Sequence, residues 1–154
     1  MPSFELSPEQ EQFRQIVADF ANQMVAPAAE GFNQQGRFPT EIVRQMGEMG
    51  LFGIPFASEY GGMDGDYLTL CLAIEELGRV DQSIGITLEA GVGLGAAPID
   101  EFGTDEQKRR WLPALCRGEA LGAFGLTESG GGSDVLGTAR TRAVVDGDHW
   151  VIDG

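Results

Sequence analysis

A chain of 154 residues, 42% of them hydrophobic and 22% charged, amounts to about one domain of ordinary globular composition. Its 24 acidic against 10 basic side chains leave a formal net charge of −14, which argues against a nucleic-acid partner. The one basic run, Lys108-Arg109-Arg110, lies in a helical pattern and reads as a solvated face, with the acidity serving solubility.

Cys71 and Cys116 both fall in apolar helical segments and read as a reduced, buried pair. His149 is the one histidine, so no metal-ligand spacing exists. The start, Met1-Pro2-Ser3-Phe4-Glu5, has no apolar leader core, and no apolar run approaches the length of a membrane span. A cytoplasmic protein is the default expectation.

Ser7-Pro8-Glu9-Gln10 opens a helix: a capping hydroxyl, a proline for the first turn, and acids at the positive end of the dipole. Phe13, Ile16, Val17, Phe20, Ala21, Met24 and Val25 then form one apolar stripe, weakened at its end by Pro27 and Gly31. A second helix starts at Phe38-Pro39-Thr40-Glu41, buries Ile42, Val43, Met46 and Met49, and stops at Gly50. From Leu51 to Asp66 the breakers Gly53, Pro55, Gly61-Gly62 and Asp64-Gly65 predict an irregular connection.

Asp66 caps a third helix, apolar nearly all round through Leu68, Leu70, Cys71, Leu72, Ala73, Ile74 and Leu77, which predicts a central place in the bundle. Ser83 to Phe102 is apolar, with Gly91, Gly93 and Gly95 at alternate positions. The pattern lacks the preceding strand and full spacing of a dinucleotide loop, so close helix packing is the better reading. Thr104 and Gln107 form a capping box for the next helix, which runs past Pro113 to Arg117-Gly118.

Beyond Gly118 the period changes. Ala123 to Leu126 is a short apolar run. Thr138 to Val145 alternates imperfectly, Asp146-Gly147 is a hairpin signal, and His149 to Ile152 is the return strand. The expected architecture is mainly α: an amino-terminal bundle of about five or six helices over residues 1–120, then the first strands of a β domain over 121–154. So few strands point to the front part of a longer α+β protein; the alternative is a hairpin that covers one end of the bundle.

The chemistry-bearing stretch is Gly122-Ala123-Phe124-Gly125-Leu126-Thr127-Glu128-Ser129-Gly130-Gly131-Gly132-Ser133-Asp134. Three glycines let main-chain N–H groups turn toward one point, and Thr127 and Ser133 add hydroxyls on either side. From spacing alone this is either a cofactor or anion loop or a tight turn without a ligand.

Four stretches, in order, resemble the flavin-dependent acyl-CoA dehydrogenase family over essentially the whole chain. They are Leu6-Ser7-Pro8-Glu9-Gln10; Met49-Gly50-Leu51-Phe52-Gly53-Ile54-Pro55 with Glu59-Tyr60-Gly61-Gly62; Phe102 to Lys108 with Trp111-Leu112-Pro113; and Ala123 to Glu128 with Gly132-Ser133-Asp134. The resemblance implies FAD-dependent α,β-dehydrogenation of an acyl-CoA thioester to a trans-2-enoyl-CoA. It implies cofactor contacts at Phe124, Leu126, Thr127, Gly132 and Ser133, with Ser133 also near the acyl-CoA substrate.

The same resemblance implies electron-transfer flavoprotein as acceptor and a homo-oligomer, a homotetramer, at full length. It implies no catalytic residue in this chain, because the family's base is a glutamate of a later helical domain. Glu128 is then a structural carboxylate, Asp134 a loop brace, Trp111 a packing residue, and the glycine helix a border of the acyl pocket. Ser129 stands where the family often has proline, and Gly130-Gly131-Gly132 where it often has Gly-Ala-Gly, which makes this loop more flexible. An acyl-CoA oxidase, a carrier-protein-thioester dehydrogenase and a non-catalytic assembly module of the same ancestry are the alternatives.

Overall fold

The computed structural model describes residues 5–154, so the leaderless start read at Met1–Phe4 lies outside the described residues. The chain is mainly helical, with a two-stranded sheet at its carboxy-terminal end. It divides into two compact units, one ending at Ala123 and one spanning Phe124–Gly154.

In the first unit, α1 (Pro8–Phe20) starts on a full capping box between Ser7 and Gln10. A π-helical segment, Ala21–Val25, joins it without a break to α2 (Ala26–Gln35), which ends on left-handed Gly36. Pro27 thus does not stop the helix. The Ala26 N–H reaches back five residues to the Ala21 carbonyl, and this wider turn accommodates a proline that lacks a donor and crowds the carbonyl four residues behind it. The same device recurs downstream: α5 (Gln82–Glu89), a π segment Ala90–Ala96, then α6 (Ala97–Phe102) carrying Pro98.

The wide turn also changes the expected stripe. Val17, Ala21 and Val25 are buried, whereas Met24 is 42% exposed because a π turn advances each residue by less than the α-helical angle. Ile16 is exposed as well, at the margin of the stripe.

Helix α3 (Thr40–Glu48) buries Ile42, Val43 and Met46, as its pattern predicts. The connection after it is more ordered than its breakers imply. It forms two 3₁₀ turns, Leu51–Gly53 and Ser58–Tyr60, and buries Leu51, Phe52, Ile54 and Phe56. Gly62 and Gly65 make this possible by passing close to backbone: a Cβ on Gly62 would lie 2.1 Å from the Phe56 carbonyl oxygen. Met63, Asp64 and Gly65 then donate to the carbonyls of Gly53, Phe56 and Ile54.

Helix α4 (Tyr67–Val80) is capped by Asp66 and packs on α1 and α5. It buries Leu70, Leu72, Ala73 and Leu77 but leaves Leu68 and Cys71 exposed, so it is one-sided rather than apolar all round in its environment. The cysteine reading is corrected with it: both thiols are free, Cys116 is buried, and Cys71 is not. Glu76 is the buried charge of this helix, held by Arg14 at 2.8 Å and Arg79 at 3.0 Å. Helix α7 (Asp105–Cys116) begins on the predicted Thr104–Gln107 box and continues through Pro113.

The second unit holds α8 (Val135–Thr138) and an antiparallel hairpin, β1 (Arg142–Asp146) with β2 (His149–Asp153). Asp146 pairs with His149, leaving Gly147 at φ +64° as the first central residue of a two-residue turn. The apolar run Ala123 to Leu126 is in no strand, and Thr138 ends a helix rather than starting a strand. A strand needs a ladder partner, and β1 and β2 pair with each other.

Candidate functional site

Of the glycine-rich stretch, Phe124–Asp134 lies in the second unit, whereas Gly122 and Ala123 close the first. The lead-in, Phe124–Thr127, is exposed, and among the described residues no hydrogen bond engages its main-chain groups. Glu128 and Gly131 then exchange two backbone bonds, of 3.2 and 3.1 Å, closing a tight turn over Ser129 and Gly130. Gly131 cannot be larger without displacing Thr138, whose hydroxyl would lie 2.7 Å from an added Cβ. Asp134 caps α8 by accepting from the Gly137 N–H at 3.0 Å.

The Glu128 carboxylate folds back over this turn. One oxygen accepts from the Arg140 N–H at 2.7 Å; the other accepts from the Thr141 N–H at 2.9 Å and the Thr141 hydroxyl at 2.6 Å. The Thr141 hydroxyl first, then the two N–H groups, hold its carboxyl below the usual carboxylate range. A carboxylate with three donors ties the turn to residues 140 and 141.

Leu126 and Thr127 line an open cavity of about 880 Å³, together with the Glu128–Gly130 turn, Val135 and Thr141. A Cβ on Gly132 would sit 3.4 Å from the Thr127 methyl carbon, so these two predicted residues are neighbours. Ser133 is exposed, and neither it nor Phe124 nor Gly132 lines the cavity. Leu126 is close to half exposed, presenting an apolar side chain beside the Thr127 hydroxyl.

In the helical unit the alternating glycines divide. Gly91 abuts the Phe52 ring, and Gly95 touches Gly122, with an added Cβ only 2.6 Å from Gly122 backbone, so both are packing glycines. Gly95 also borders a cavity of about 300 Å³ with Ile99, Trp111 and Ala114. Trp111 is 42% exposed there, less packed than expected.

A third cavity, about 750 Å³ and lined by Phe38, Val43, Gly47 and Leu121, was not foreseen from sequence. Its only advance signal is the glycine pair Gly47 and Gly118, whose contact requires chain-distant approach. Its arginines are paired within the chain, Arg44 with Glu48 and Arg117 with Glu119. His149 is exposed beside Asp148, and among the described residues no group of acids, histidines and cysteines could hold a metal.

The family described as acyl-CoA dehydrogenase, N-terminal domain, matches residues 7–119. A probable acyl-CoA dehydrogenase of Bacillus subtilis is 49% identical over 152 residues, covering 99% of this chain and 40% of that protein. An acyl-CoA dehydrogenase of Bacillus anthracis solved in complex with FAD superposes with a TM-score of 0.91 at 36% identity, covering 100% of this chain and 27% of that one. A chain in a structure described as the electron transferring flavoprotein of Acidaminococcus fermentans superposes with a TM-score of 0.94 at 41% identity, covering 99% of this chain and 40% of that one. The chain thus spans about two fifths of the length of the curated relative it matches. Its sequence and fold together make it a member of the acyl-CoA dehydrogenase family, with the amino-terminal domain of that family at residues 7–119.

Proposed function

We propose that the protein acts in the FAD-dependent dehydrogenation of an acyl-CoA thioester to a trans-2-enoyl-CoA, with residues 1–120 as its amino-terminal helical domain and residues 121–154 as the opening of its middle β domain. The observation that carries this reading is the end-to-end likeness to acyl-CoA dehydrogenases, including one solved with FAD.

The residues present fit a flavin. Phe124–Thr127 offers main-chain donors and acceptors that nothing else in the described chain engages, and Leu126 and Thr127 put an apolar flank and a hydroxyl on one open cavity. A flat ring with a polar edge needs that combination. In this reading Phe124 and Leu126 hold the ring through their main chain, and Thr127 donates or accepts at its polar edge. Gly132 and Ser133 receive the pyrophosphate, with Ser133 also meeting the acyl-CoA. Bound FAD supplies the hydride acceptor. No residue of this chain is assigned as the base that takes the α-proton, so the 154-residue chain alone is expected to turn over no acyl-CoA.

The likeness to a chain in an electron transferring flavoprotein structure supports such a flavoprotein as the electron acceptor. A homotetramer is the proposed assembly at full natural length. The test is a visible flavin spectrum of the protein at full length, followed by bleaching with a panel of acyl-CoAs. Replacing Thr127 and Ser133 together with alanine is expected to lower flavin retention, and unchanged retention would remove both hydroxyls from the cofactor site.

A further inference from the structure

We infer that Glu128 is a positioning residue: its carboxylate is the clasp that closes residues 128–141 into one loop and thereby fixes the neighbouring Thr127 and Gly132 for the cofactor. The inference rests on the flavin reading above.

The clasp spans 12 and 13 residues, from Glu128 to the Arg140 and Thr141 N–H groups and the Thr141 hydroxyl, at 2.6 to 2.9 Å. Between its ends the bonds are short-range: the Glu128–Gly131 bridge, the Asp134 cap on α8, and the α8 bonds from Thr138 and Ala139 to the Asp134 and Val135 carbonyls. Ser129-Gly130-Gly131-Gly132 has no proline and no branched side chain to restrict it, so its conformational freedom is close to the maximum for four residues. No residue of Phe124–Gly154 is buried by the rest of this chain, so within these 154 residues packing adds no stiffness to the loop. Closing the loop is left to hydrogen bonds, and the three on Glu128 are charge-assisted, the strong kind.

The clasp has a direct line to the proposed site. Thr127 precedes Glu128 in the chain, and Gly132 sits against the Thr127 side chain. Releasing the carboxylate frees the Glu128–Gly131 turn from the start of β1 and lets the Thr127 hydroxyl wander. The acceptor chemistry is specific. Glutamine keeps the shape but has one acceptor oxygen, so its NH₂ would face an N–H and one of the two arms would be lost.

The experiment compares the full-length protein with Glu128→Gln, Thr141→Val and Thr141→Ser, reading flavin dissociation constant, visible spectrum and helical unfolding by far-ultraviolet circular dichroism. Glu128→Gln is expected to raise the flavin dissociation constant on the order of tenfold and to shift the visible flavin bands, with the helical transition unchanged. Thr141→Val removes only the hydroxyl arm and should show a smaller change in the same direction. Thr141→Ser keeps that arm and should match the unaltered protein. A Glu128→Gln protein with unchanged flavin affinity and spectrum overturns the clasp; should that variant not fold, an unchanged Thr141→Val does so. Absence of flavin from the unaltered protein overturns the flavin reading itself, and the clasp role with it, a result distinct from either.

Discussion

Val17, Leu77, Leu88 and Leu112 have no exposed surface in the helical unit, whereas in Phe124–Gly154 every residue keeps some contact with water and Trp150 and Ile152 are mostly exposed. The first unit is held by apolar burial, and its polar bonds adjust the ends of helices. The second is held by a backbone ladder, a helix cap and one carboxylate. The difference teaches where mutations act: packing changes should be felt in the first unit, and the removal of single acceptors in the second.

The largest expected effect tests that contrast directly. Leu88→Ala should cost about 3 kcal/mol, read from the denaturant midpoint of the helical transition. In the same 154-residue chain Ile152→Ala, at 71% exposure, should fall within roughly 0.5 kcal/mol by the same measurement. Similar losses at both positions would break the comparison.

Glu76 sharpens it next, as the one buried charge among the described residues of the helical unit. Burial raises its pKa, but hydrogen bonds from Arg14 and Arg79 outweigh burial and leave it below the ordinary value of 4.5. A carboxyl depressed in the folded state stabilises above its unfolded pKa and loses that stabilisation as pH falls through the folded one. The protein should therefore weaken below pH 4.5, and Glu76→Gln should flatten that part of the stability–pH curve. At neutral pH the same change should cost about 2 kcal/mol, less than a fully buried pair because both arginine heads reach water. An acid-stability curve indistinguishable from the unaltered protein's would remove Glu76 from this account.

The smallest effect leaves stability alone. Burial pushes the Cys116 thiol up to about 11, while Cys71 is exposed. Alkylation of the folded protein near pH 8 should label Cys71 and spare Cys116, as peptide mass mapping would show; equal labelling would mean that α7 opens more readily than its packing implies.

Local signals were legible in the sequence because they act over three or four residues. Ser7, Asp66 and Thr104 cap where their spacing says they should, and Asp146-Gly147 turns the hairpin. The loop's glycines and hydroxyls were legible as a set, though only Leu126 and Thr127 of the five expected cofactor residues reach the open cavity. What escaped depends on distant partners. Phe52 and Phe56 look like loop residues until Gly62 and Gly65 let the chain fold back over them. Cys71 looks buried by composition and is exposed because its side of α4 has no neighbour in this chain. Glu128 sits next to a binding-type threonine, and nothing in its local context announces donors 12 and 13 residues away.

The two π turns have a mechanical meaning beyond accommodating Pro27 and Pro98. Each long rod, Pro8 to Gln35 and Gln82 to Phe102, is two stiff pieces joined at a wide, donor-poor joint. A straight helix is a lever, and a shift at one end moves the other. A jointed one can seat each piece on the core separately, Phe13 and Val17 before the joint, Ala28 and Phe32 after it.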